Sequence, residues 1–222
     1  MPKAPNNRSE KFAAGANRKI AKTATYYAGL LCLGLVVSVL GPSLPGLARN
    51  TGTSLSEISF LFTSVSLGYL LGSLLGGRLF DRVPGHPLLS VSVFTMCAVM
   101  GAVPLISVFY LLAGVFFILG IAQAFLDVGT NTLLVWVHRD RVGPYMNGLH
   151  FFFGFGALLA PLLVGQSIRI SQNIKWAYWV LALVMIPVAV VLLRFPSPSA
   201  PARTEFNTAG KTSPLLVALI SA

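Results

Sequence analysis

Six stretches of this sequence, each about 18 residues or longer, are almost wholly apolar, and that pattern limits the fold more than any other feature. They run over Thr25–Leu47, Ile58–Leu79, Leu88–Val108, Leu111–Val137, Asn147–Gln166 and Trp176–Leu193. A helix rises about 1.5 Å per residue, so a run of this length crosses the roughly 30 Å hydrocarbon core of a bilayer. The chain is 55% hydrophobic and only 10% charged over 222 residues. A soluble domain of that size cannot hide so much apolar surface. The expected fold class is all-α integral membrane, with six transmembrane helices in one bundle over residues 24–194. A further apolar run opens at Pro214 and reaches Ala222. It rises only about 13 Å, less than half of the core, and reads as the truncated start of a seventh span over 214–222.

The net charge of +10 invites a nucleic-acid reading, but the placement of the charge argues against it. With the N-terminus inside, the inner segments carry Lys3, Arg8, Lys11, Arg18, Lys19, Lys22, Arg78, Arg82, Arg139, Arg141, Arg194, Arg203 and Lys211. The outer segments carry only Arg49, Arg169 and Lys175. That asymmetry predicts a cytoplasmic N-terminus by the positive-inside rule, in a multi-pass protein expected at the plasma membrane. The partners expected are the lipid bilayer, including anionic headgroups near the basic tail, and no nucleic acid. Aromatic residues mark the water boundaries at Tyr26, Tyr27, Trp136, Tyr145, Trp176, Tyr178 and Trp179.

Residues 1–23 are polar and basic and read as a disordered cytoplasmic tail or an interfacial segment. They lack the apolar segment of a cleavable signal peptide. Pro42 and Pro45 predict a kinked or unwound end to the first span. Ser54 and Glu57 have the spacing of a capping box that opens the second. Ser64, Gly68, Gly72 and Gly76 then recur at intervals of four. Such a stripe clears one helix face for close packing or for sliding between helices. Short connections follow near Ser107–Tyr110 and at His138–Arg141. The fifth span is crowded with Gly154, Gly156, Ala157, Ala160, Pro161 and Gly165, which suit tight packing. Residues 195–213 are rich in Pro, Ser, Ala and Thr and read as a flexible cytoplasmic linker. Six spans, a linker and the start of another suggest half of a larger assembly.

Asp127 is the only acidic residue deep in a span. A charged group there costs about 2.5–3.5 kcal/mol on insertion scales, so it faces a cavity or a partner. Gln123, Asp127 and Asn131 share one face of the fourth span, with Thr130 beside them. Three readings stand: hydrogen bonding to a polar solute, coupling to a proton or sodium ion, and a structural cluster tying helices together. His150, early in the fifth span before three phenylalanines, reads as a solute or proton contact or as an interfacial histidine. His86 and His138 lie at span edges and are expected to be solvated. Cys32 and Cys97 read as small core residues. The histidines fall in separate segments, so no metal site is expected, and no cofactor is implied. Neither a Ser–His–Asp pattern nor a phosphate loop is present, so the chain is not expected to be an enzyme.

The segment Gly77-Arg78-Leu79-Phe80-Asp81-Arg82 reads as a short charged turn between the second and third spans. With Gly77, Leu79, Asp81 and Arg82 in place, it resembles the signature of the major facilitator superfamily at that loop. The glycine that should follow lies one position late, at Gly85. The arginine that many proton-coupled members carry early in span 4 is missing, with Phe116 near its place. Asp127-Val128-Gly129-Thr130-Asn131 and Asn147-Gly148-Leu149-His150 resemble the fucose-permease and sodium-dependent glucose transporter-like branch. The resemblance covers about residues 25–222 and implies two inverted three-helix repeats. It also implies a cytoplasmic gate at Gly77, Asp81 and Arg82. Physically, Asp81 can pair with Arg82, Arg139 or Arg141. The resemblance implies a sugar route lined by Asp127, Asn131 and His150, to which the helical spacing adds Gln123.

The function expected is the N-terminal half of a secondary transporter of a small polar solute, a sugar first, working by alternating access against a second six-helix bundle. Coupling to a proton or a sodium ion fits this reading. The alternative is a non-transporting half-size membrane protein, an assembly subunit or a truncated remnant.

Overall fold

The computed structural model describes residues 7–198. Its helices are α1 Asn7–Thr51, α2 Leu55–Ile58, α3 Phe60–Phe80, α4 Gly85–Ala102, α5 Phe109–His138, α6 Gly143–Ser171 and α7 Lys175–Arg194. Among the described residues there is no strand. Six helical stretches are long and apolar enough to cross a bilayer, one for each expected span, although the third ends at Leu105 and not at Val108. Helix is how an open chain satisfies its backbone in lipid, because every interior N–H finds a carbonyl within the same segment. The protein is an all-α, multi-pass membrane protein.

Some boundaries differ from those expected. α1 starts at Asn7, so residues 7–23 are helical. Over its 45 residues α1 reaches about 67 Å, more than twice the hydrocarbon thickness. It also runs unbroken through Pro42 and Pro45 to Thr51. The capping box forms: Glu57 N–H donates to Ser54 Oγ at 3.2 Å, and Ser54 N–H donates to Glu57 Oε2 at 2.8 Å. It opens the single turn α2, which breaks at Ser59 before α3 begins. The Gly77–Arg82 turn is shorter than expected, because Gly77 to Phe80 are the last turn of α3. The chain turns at Asp81–Pro84, where Arg82 N–H and Val83 N–H both donate to Leu79 O, at 3.0 and 2.9 Å. Past α7, residues 199–213 of the expected linker and the run at 214–222 lie outside the described residues.

The packing falls into three dominant pairs, α3 on α5, α1 on α6 and α4 on α7. Exchange α1 with α5, α3 with α6 and α4 with α7, and this set of pairs maps onto itself. The glycines obey the same exchange. A Cβ at Gly34 of α1 would stand 2.0 Å from the Phe153 carbonyl oxygen, and one at Gly156 of α6 would stand 2.2 Å from that of Leu31. At the other crossing, a Cβ at Gly68 of α3 would stand 2.0 Å from the Phe117 oxygen, and one at Gly120 of α5 would stand 2.1 Å from that of Val65. Each crossing is thus a mutual backbone contact that no larger residue permits. Gly34 pairs with Gly120, and Gly68 with Gly156, as two three-helix repeats require. The stripe from Ser64 to Gly76 is packed on α5: Ser64 Oγ donates to Ala113 O at 2.9 Å, and Gly72 abuts Ala124.

Arg78, Arg82, Arg139, Arg141 and Arg194 share one end of the bundle, called the basic end below. His86 and His138 lie there too, and neither is solvated as expected. His86 is 1% exposed. Its Nε2 lies 2.6 Å from Tyr26 Oη, and its Nδ1 lies 2.9 Å from Phe195 O. The Nδ1–H donating to that carbonyl leaves Nε2 to accept from the phenol, so a neutral ring satisfies both contacts. Ser197 Oγ accepts from the His86 backbone N–H at 2.9 Å. His86 therefore fastens the chain leaving α7 to the start of α4. His138 is half-buried, stacked on Tyr145 with ring centroids 3.5 Å apart and bonded to Thr23 Oγ1 at 2.7 Å.

Candidate functional site

α5 is the centre of the bundle, with α3 on one flank and α1 and α4 on others. Its length carries Gln123, Asp127 and Asn131 along one line, four residues apart. Asp127 is half-buried, and both its carboxylate oxygens are engaged. Asn131 Nδ2 donates to Oδ1 at 2.9 Å, and the Tyr69 hydroxyl of α3 donates to Oδ2. The same Asn131 amide also donates to the Asp127 carbonyl at 2.9 Å, which fixes its direction. Thr130 turns inward onto its own helix, donating to Leu126 O at 2.7 Å, and offers nothing to a ligand. A carboxylate held by charge-assisted hydrogen bonds from two helices is positioned before any ligand arrives.

Asp127 opens onto a cavity of about 400 Å³ between α1, α3, α5 and α6. Most of the wall is apolar, from Leu33, Val36, Leu40, Val65 and Leu119, with Phe62, Phe116 and Phe153 adding aromatic faces. Ser66, Tyr69, Gln123 and Asp127 supply the polar groups. Among the described residues Gln123 makes no side-chain hydrogen bond, although it is only 4% exposed. Its amide can therefore both donate and accept inside the cavity. Small-molecule sites have this form, a mostly apolar volume of about 300–1,000 Å³ with a few convergent polar groups. A carboxylate and a carboxamide side by side on one wall of such a space suit a solute rich in hydroxyl groups.

The structure brings Gln123, Asp127 and Asn131 together, with Asn131 behind the carboxylate rather than on the wall. His150 is placed elsewhere: it is exposed on α6 and does not line the cavity. Gly77, Asp81, Arg82, Arg139 and Arg141 are all exposed at the basic end. Among the described residues the side chains of Asp81 and Arg82 have no hydrogen-bond or ion-pair partner. Beneath them Phe80 is buried against Gly129, where a Cβ would stand 2.2 Å from the ring. Phe80, the residue before the turn, is thus seated on α5 two residues along from Asp127. Tyr69 was not found by sequence reasoning. Its only signal was position, a lone phenol one residue after Gly68 on the stripe that packs against α5. No group of three or more metal-ligating side chains occurs among the described residues.

The family model described as Major Facilitator Superfamily matches residues 26–221. The chain is 40% identical over 135 residues to "Sodium-dependent glucose transporter 1" of Xenopus laevis, an overlap of 61% of this chain and 28% of the relative. It is 39% identical over 136 residues to the Homo sapiens protein of the same name, covering 61% and 26%. It is 27% identical over 248 aligned positions to "Major facilitator superfamily domain-containing protein 4A" of Mus musculus, covering 90% and 48%. The chain spans less than half the length of each of these relatives.

Proposed function

The chain belongs to the Major Facilitator Superfamily, and from that premise we propose that it forms the N-terminal half of a secondary transporter for a small polar solute, a sugar first. The observation that carries this reading is the Asp127 cavity: a carboxylate oriented by Tyr69 and Asn131, with the Gln123 amide beside it on the same helix face, in a mostly apolar space. The names of the relatives favour a sugar over other polar solutes. Asp127 and Gln123 hydrogen-bond the solute, Phe62, Phe116 and Phe153 pack on its carbon skeleton, and Asn131 acts through the carboxylate. A coupling proton or sodium ion is assigned to the same carboxylate.

Movement follows from the symmetry of the fold. A second bundle rocks against this one about the site, in the plasma membrane with the basic end cytoplasmic. Asp81 and the arginines of the basic end form the latch that closes the inner side. A surface ion pair contributes only about 0–1 kcal/mol, weak enough to break in every cycle. His150 joins the pore face presented to the second bundle.

A thermal-shift and uptake panel tests the proposal, with sugars set against amino acids and organic anions. The expected result is stabilisation and uptake by one sugar class, both lost in Asp127→Asn. Equal responses across all solute classes, or an unaltered Asp127→Asn variant, would remove Asp127 from the site.

A further inference from the structure

A second cavity, of about 500 Å³, opens at the basic end between the first turns of the membrane-crossing part of α1, the last turn of α5 and the chain beyond α7. Arg18, Lys19, Lys22 and Arg139 line it, with Trp136 and Pro198. No acidic side chain lines it among the described residues. Four cations around one space repel one another, and nothing within the described cavity balances them.

The space is built from fixed parts. Lys22 Nζ donates to Pro196 O at 2.7 Å, which ties the far wall to α1 and leaves two ammonium N–H groups open. Arg139 stands at φ 49° and ψ −124°, a backbone conformation that favours glycine. The residue before it is anchored by the Tyr145 stack and the Thr23 hydrogen bond. A strained arginine next to an anchored residue is a feature of functional sites rather than of idle surface. Trp136 puts the cavity at the depth where indoles meet lipid headgroups.

Guanidinium forks and ammonium donors converging with no carboxylate among the described residues are the chemistry of phosphate recognition. We infer that this cavity binds a phosphate-bearing anion, supplied by an anionic lipid headgroup of the adjoining leaflet. Occupancy would engage Arg139, one of the residues expected to pair in the latch, so lipid composition would bias the gate.

Trp136 is the natural reporter. The chain has three tryptophans, and the other two, Trp176 and Trp179, lie at the opposite end. In a Trp176→Phe, Trp179→Phe background in detergent, Trp136 fluorescence is followed during titration with dioctanoyl phosphatidylinositol 4-phosphate, dioctanoyl phosphatidylcholine and inorganic phosphate. The expected result is saturation by the anionic lipid at one molecule per chain, with no saturation by the zwitterionic one. Arg18→Gln with Arg139→Gln should weaken it by about tenfold or more, as the loss of charge-assisted contacts requires. Arg78→Gln with Arg82→Gln, on the same face but outside the cavity, should leave it within about threefold. Saturation of the same signal by inorganic phosphate would keep the site and move its ligand from lipid to a soluble phosphate. No saturable change with either phosphate anion, or equal losses in the two double variants, would overturn the site.

Discussion

Asp127 and Asp81 are both aspartates of a chain with few acids, and the fold treats them in opposite ways. Asp127 lies inside the bundle with both oxygens occupied, one by Asn131 of its own helix and one by Tyr69 of the neighbouring helix. Asp81 lies at the basic end, exposed and without a side-chain partner among the described residues. The half-buried acid inside the bundle has to be satisfied, because an unpaired charge in a low-dielectric interior is costly. The exposed acid is free to change partners. The proposed function needs both kinds, a site whose geometry persists and a latch whose contacts do not.

Substitutions can break this contrast. Asp127→Asn keeps one acceptor oxygen and sets an amide NH2 against one of the two donors, Tyr69 Oη–H or Asn131 Nδ2. Solute affinity should fall about hundredfold, near 2.7 kcal/mol, as read by equilibrium binding in nanodiscs. Gly34→Ala drives a methyl into the Phe153 carbonyl and should destabilise the bundle by about 1–3 kcal/mol in detergent unfolding. Gly77→Ala meets nothing within 4 Å and should leave unfolding unchanged. Equal melting of the two variants would discredit the glycine crossings. Tyr69→Phe removes one hydrogen bond to the carboxylate and should cost about tenfold in solute affinity, near 1.4 kcal/mol. Asp81→Asn should shift stability by less than about 0.5 kcal/mol and leave solute binding to this chain intact. A larger loss would mean that Asp81 already has a structural partner.

The spans were legible because hydropathy needs no knowledge of partners: each expected run matches one membrane-long helical stretch, though the second is broken at Ser59 and the third overruns its helix. The family was legible from Gly77, Leu79, Asp81 and Arg82, and the match over residues 26–221 bears it out. The line of Gln123, Asp127 and Asn131 could be read from helical spacing alone. Tyr69 could not, because its role depends on which face of α3 meets α5. The burial of His86 was hidden for the same reason, since Tyr26 and Phe195 approach it from 60 and 109 residues away. Gly34 and Gly120 gave no local signal either. Each stands in an apolar helix, and only the crossing shows that a Cβ would strike a carbonyl.

The two aspartates also supply the most direct test, because one chain holds both the probe and its control. Carbodiimide labelling of exposed carboxylates, read residue by residue by mass spectrometry, is run with and without the sugar that stabilises the chain most. Labelling of Asp127 should fall saturably with solute, while that of Asp81 stays at its solute-free rate. If a saturating sugar leaves Asp127 labelling unchanged, or slows Asp81 equally, the solute does not sit against Asp127.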